Sequence, residues 1–222
     1  IKYLPEEYKE LEPYLPKYGE VFGVHFFASN KVSDVKLLHA MNVMAEWLDN
    51  DKDGLPDNNL IVDKMVLDKV GMIMFEDEDE DEDSEVWELN LEYISWDNLQ
   101  GLYEDETNPS SGFDASIEEI LHLITERGYA SVYPEVFGEF SGSKVANLMD
   151  EARGGHFEEG TNWDEDSGQG DSPVPNSYPS ASWYHYDDET CSYACMITEY
   201  MYWSLTSILG AQEDRCSEIN HE

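Results

Sequence analysis

The sequence predicts an α+β domain with a small sheet, several helices and long acidic loops. Two kinds of apolar pattern point to that class. Short β-prone runs at residues 21–28 and 70–75 read as buried strands, and longer stretches with helical spacing follow them. Length agrees, because 222 residues are enough for one substantial core and short for two. The chain is therefore read as a single domain over residues 1–222.

Residues 1–20 are rich in Pro and Tyr and are expected to wrap the surface. After the strand at 21–28, Ser33 offers an N-cap to an amphipathic helix whose apolar stripe runs through Val35, Leu38, Met41, Met44, Ala45 and Leu48. A second helix is expected at about 59–69, before the strand at 70–75. Eight successive acids, Glu76 to Asp83, then predict a solvated acidic loop over 76–85. Residues 86–103 alternate around Trp87, Leu89, Leu91 and Tyr93 and read as a strand or short helix. Helices follow at about 116–127 and 142–153, the latter stopped by Gly154-Gly155. Residues 159–182 are Gly-, Ser-, Pro- and Asp-rich and are expected to form a long mobile loop. The last element, from about Ser192 to Leu209, is apolar around most of its circumference.

Fifty acidic residues face twelve basic ones, for a formal charge of -38. Such a surface repels phosphate backbones and anionic lipid, which argues against nucleic acid and membranes as partners. Self-repulsion of this size calls for screening by salt or divalent cations. Halophilic or marine surface chemistry accounts for the charge equally well. No apolar run approaches the roughly 20 residues of a membrane span. The start at Ile1 suits a processed, secreted protein in a saline or calcium-rich extracellular environment. Cys191, Cys195 and Cys216 allow one disulfide plus a free thiol, or an intermolecular bridge. They do not make a zinc ribbon.

The segment from Asp49 to Asp57 carries the clearest chemistry. Calcium takes six to eight oxygens, gathered by a tight turn. Asp49, Asp51 and Asp53 alternate at loop positions one, three and five, and Gly54 permits the turn at position six. Leu55 offers a backbone carbonyl and Asp57 falls at position nine. The loop, bounded at 49–60, resembles those of EF-hands, dockerins and thrombospondin type-3 repeats. It departs from the EF-hand at position twelve, where Leu60 replaces a bidentate Glu. Oxygens must then come from elsewhere, Asp63 being one source, and the affinity expected is that of an extracellular structural site.

A second motif lies in Ser116-Ile117-Glu118-Glu119-Ile120-Leu121-His122. On a helix Glu118 and His122 share one face, the spacing of two metal ligands, with Glu119 three residues before His122. This resembles the HExxH helix of gluzincin-type zincin metallopeptidases with Glu118 in place of the first His. The resemblance implies a third carboxylate ligand from a later helix, which Glu199 supplies. It also implies Glu119 as general base, a tyrosine (Tyr200) steadying the tetrahedral intermediate, and a peptide substrate. A carboxylate ligand in place of imidazole weakens the metal as a Lewis acid, so zinc, another transition metal or calcium all suit the site. Di-iron bundles use Glu-x-x-His twice, and it occurs here once.

Competing readings are purely structural. Ser116 and Glu119 match a capping box, and Glu118 with His122 matches a surface i,i+4 pair. The cluster Trp183 to Asp188 suits aromatic packing, or a cleft in which Tyr184 or Tyr186 faces an oxyanion and His185 or Asp187 a metal. His156 is an alternative ligand, and His25 and His39 read as structural. Two functions therefore stand: a secreted calcium-binding protein with a divergent metallopeptidase centre, and a non-catalytic acidic calcium-binder of an extracellular matrix, mineralised tissue or ion store.

Overall fold

A computed structural model describes residues 1–91, 93–160, 164, 167–168, 170 and 172–215. The fold is α+β, and the chain divides into two compact units at Gly128/Tyr129. Cys216 and parts of the 159–182 segment lie outside the described residues.

Unit 1 is built on a four-stranded sheet in the order β1-β2-β3-β4, comprising Lys17–Val21, Val24–Ala28, Gly71–Phe75 and Leu99–Tyr103. β1 and β2 are antiparallel, whereas β2, β3 and β4 run parallel. The run read as one strand at 21–28 is broken by a hairpin turn. Phe22 (φ 50) and Gly23 (φ 90) both take left-handed backbone, as a two-residue turn with the twist of its flanking strands requires. The residues before it, read as surface wrapping, thus supply β1.

β3 is buried along its whole length, as a central strand covered on both faces must be. Phe27, Ile73 and Phe75 face a core completed by Tyr8, Leu11, Leu15, Tyr18, Val86 and Ile94. By strand alternation Phe26, Met72 and Met74 face the other side. β2 and β3 approach closely at Gly71, whose partner in register is His25. A Cβ on Gly71 would stand 2.7 Å from the His25 carbonyl oxygen, a backbone atom with no rotamer to yield. Gly71→Ala is therefore expected to cost about 1–3 kcal/mol, read as a lower urea midpoint.

Helix α1 (Asp34–Leu48) starts where the sequence places it, with Ser33 Oγ accepting the Lys36 N–H. Its buried stripe is Leu37, Ala40, Met44 and Leu48, whereas Val35 and Leu38 are exposed. Met44 and Leu48 of the expected stripe are buried and Met41 and Ala45 half-buried, so the core-facing arc is shifted away from Val35 and Leu38 only. α2 (Asn59–Leu67) is capped by Asn58. The acidic run is not wholly loop, since Glu78–Glu82 forms one short helix, α3. Asp77 caps it through the Glu80 N–H, Lys31 pairs with Glu76 and Glu80, and the Tyr103 hydroxyl donates to Asp81. Local donors offset the repulsion that sequence alone emphasises. Residues 86–98 contain short 3-10 turns, and the strand begins only at Leu99. α4 (Ala115–Leu123) continues into a wider π-helical stretch, Ile124–Ala130.

Unit 2 contains α5 (Pro134–Phe137), α6 (Lys144–Arg153) and α7 (Tyr193–Ile208). α6 runs from the Ser143 cap to Gly154, which closes it in left-handed backbone. Val145, Ala146, Met149 and Ala152 of α6 pack with Met196, Ile197, Tyr200 and Met201 of α7. Cys191 and Cys195 form a disulfide across the α7 N-cap, Ser192. No helix among the described residues is long and apolar enough to cross a membrane.

Candidate metal centres

The loop between α1 and α2 is closed by its own carboxylates. Asp49 ends α1; its Oδ1 accepts the Asp53 N–H at 3.1 Å and its Oδ2 accepts the Gly54 N–H at 2.8 Å. Asp57 returns to Asn50, whose N–H it accepts at 2.9 Å. Lys52 (φ 61) and Gly54 (φ 87) take the left-handed backbone that makes the turn. The outcome is that Asp49, Asp51 and Asp57 each bring a carboxylate oxygen within 4.8 Å of the others. Asp53 lies outside that set, with Oδ1 on the Leu55 N–H at 2.9 Å. Lys52 points to Glu46 at 3.1 Å. An all-oxygen set on a tight turn has the chemistry of a hard-cation site.

On α4, Glu118 and His122 offer ligand atoms within 4.8 Å of each other, as an i,i+4 pair should. Glu199, on α7 of unit 2, is buried between Thr198 and Tyr200. The sequence pairs Glu199 with Glu118 and His122 as a third ligand; Glu118 and His122 lie in unit 1 and Glu199 in unit 2. Burial lowers His122 from 6.5 to about 4, so its ring is neutral and available as a ligand well into acid. Tyr200 packs in the unit 2 core, edge-on to Tyr184 at 5.1 Å. Burial, and next the Glu199 charge, raise the Tyr184 hydroxyl.

Glu119 is not explained by capping. The cap of α4 is Asp114, which accepts both the N–H and the Oγ–H of Ser116, at 3.1 and 2.6 Å. Glu119 instead accepts a 2.6 Å hydrogen bond from Gln100 Nε2 on β4. Gln100 pairs in register with Met72, which puts it on the sheet face that α4 covers. Burial raises the Glu119 carboxyl to about 7; Gln100 opposes the rise, and the Glu118 and Glu106 charges add to it. A carboxyl poised there suits a general base. Gln100 was invisible to motif reasoning because only the parallel register of β4 brings it under α4.

Opposed pH dependences follow for the metal-free protein. The unfolded chain protonates His122 at 6.5 and the fold resists until about 4, so this term lowers stability as pH falls through that window. The fold keeps Glu119 protonated to about 7 against 4.5 unfolded, so this term lowers stability as pH rises from 4.5 to 7. Each is worth about 3 kcal/mol at full extent. Glu119→Gln is expected to unmask the His122 term, so that the urea midpoint climbs from pH 4 to 6.5 more steeply than in wild type.

The other described histidines sit in local networks. His39 Nε2 meets Asp114 at 2.6 Å, fixing α1 to the start of α4. His25 lies between the Tyr8 and Tyr18 hydroxyls, each at 2.9 Å. His156 bridges Asp150 and Glu158 at 2.7 and 2.8 Å, and His185 stacks on Tyr178. The chain matches no family model, no curated protein and no solved structure.

Proposed function

We propose that the protein is a secreted calcium-binding metalloprotein in which the 49–57 loop holds a structural calcium ion. The observation that carries this reading is the convergence of Asp49, Asp51 and Asp57 within 4.8 Å. Like charges at that range repel one another, and a divalent cation turns the repulsion into binding. Loop closure by backbone N–H groups holds Asp49 in place before the ion arrives, which reduces the ordering cost of binding. Calcium calorimetry on protein stripped with a chelator and then freed of the chelator tests it. One site well tighter than the diffuse background is expected, and it should vanish in Asp49→Ala. Identical isotherms for the two proteins would remove the reading.

Glu119 favours a second activity, metal-dependent peptide hydrolysis at a divergent zincin-like centre. Zinc or another transition metal, held by Glu118 and His122 with Glu199 as the third ligand that the zincin resemblance implies, would polarise the peptide carbonyl and acidify bound water. Neutral His122 serves as ligand without first losing a proton. Glu119, with a pKa near working pH, accepts the proton of the attacking water and returns it to the leaving amine. Gln100 fixes the orientation of Glu119 by occupying Oε2. Tyr200, adjacent to Glu199, is the candidate for steadying the tetrahedral oxyanion. The rival is a non-catalytic calcium store or matrix protein, favoured by the charge of -38. Many weak calcium sites without a transition metal would support that rival.

A further inference from the structure

Unit 2 contains a buried cation that neither metal site uses. Arg153, the last residue of α6, has no solvent exposure. Its Nη2 donates to the Pro173 carbonyl at 2.5 Å, while Nε and Nη1 have no hydrogen-bond partner. No carboxylate forms an ion pair with it among the described residues, in a chain with fifty acids. Arginine keeps its charge throughout the pH range in which proteins fold, so the group cannot escape by losing a proton. An uncompensated buried charge is among the most destabilising features a fold can carry.

The surroundings supply part of an answer. The Phe157 and Tyr178 rings lie 5.1 and 5.8 Å from the guanidinium carbon, which offers cation–π attraction but no counter-charge. The Tyr184 hydroxyl is also buried without a partner, and it lies within electrostatic reach of Arg153. Asp150, one turn earlier on α6, is already engaged, since its Oδ2 meets His156 at 2.7 Å and the Tyr193 hydroxyl at 3.0 Å. Burial lowers His156, but its bonds to Glu158 and Asp150 outweigh that and raise it. Asp150 Oδ1 is buried without a hydrogen-bond partner. Unmet N–H donors on a cation, with an unmet hydroxyl within electrostatic reach, are the complement of a small anion.

We propose that unit 2 encloses a small monovalent anion, of halide or formate size, held by Arg153 Nε–H and Nη1–H and by the Tyr184 hydroxyl. It acts as an integral counter-ion that locks α6 to the 173–184 segment. The inference does not rest on either metal assignment, although the Glu199 charge acts on the Tyr184 hydroxyl.

The test is thermal unfolding in sodium chloride, bromide, formate or gluconate, at fixed sodium and calcium. Gluconate is too large for an enclosed site, and general salt effects favour it over bromide as a stabiliser. At saturating concentration chloride and bromide are expected to raise the midpoint by about 5 °C over gluconate. A matching rise in formate would mark a carboxylate-accepting site, and its absence a halide site. Tyr184→Phe removes one donor with little change of shape, and should raise the chloride concentration needed about tenfold. Arg153→Met should abolish the anion dependence. Equal midpoints in all four salts for wild type would overturn the proposal and assign the unmet donors to water.

Discussion

Chelating calcium is expected to lower the melting temperature by about 8–16 °C. That is the shift for roughly 4 kcal/mol of ligand stabilisation in a chain of this size, reached when free calcium is about a thousand times its Kd. The size follows from where the loop sits. Residues 49–58 join the end of α1 to the start of α2, within the crossover that connects β2 to parallel β3. Three unscreened carboxylates there push against the closure that Asp49 makes with the Asp53 and Gly54 N–H groups. Asp49→Asn in calcium should reproduce most of the loss. Asp53→Asn should cost much less, because its carboxylate caps the Leu55 N–H and lies outside the converging set. Magnesium at equal concentration separates site binding from screening, since it prefers a smaller and more rigid shell. Equal stabilisation by both ions, insensitive to Asp49→Asn, would reduce the effect to charge screening.

Glu119→Gln is expected to lower peptide hydrolysis by about 10²–10⁴-fold, the range for losing a positioned general base, while leaving bound metal unchanged. Glutamine preserves shape and can still meet Gln100 after an amide flip, so the loss would report proton transfer. His122→Ala should instead remove the metal together with activity. Hydrolysis retained in Glu119→Gln would eliminate the mechanism, and metal retained in His122→Ala would eliminate the ligand assignment.

Much of the helical framework was legible because capping and periodicity are local. Ser33, Ser143 and Ser192 start α1, α6 and α7 through side-chain bonds within three residues, and Gly154 ends α6. The strands were harder. β1 hides beside a turn in which Phe22, a poor left-handed residue, precedes Gly23. The sheet order depends on non-local parallel pairing that no window of sequence contains. The same limit applied to the sites. Asp49, Asp51 and Asp57 could be read directly, since a single turn gathers them. The Glu119–Gln100 bond could not, and neither could the buried Arg153, which sequence treats as an ordinary basic end to a helix. The motif helix also misled locally, because Ser116 fits a capping box while Asp114 holds the cap.

The most direct test of the metalloprotein account is elemental analysis of the exhaustively dialysed protein beside two variants, Asp49→Ala and the Glu118→Ala, His122→Ala double. The account predicts near-stoichiometric calcium that disappears in the first and a near-stoichiometric transition metal that disappears in the second. Wild-type protein without stoichiometric metal of either kind, indistinguishable from both variants, would contradict it.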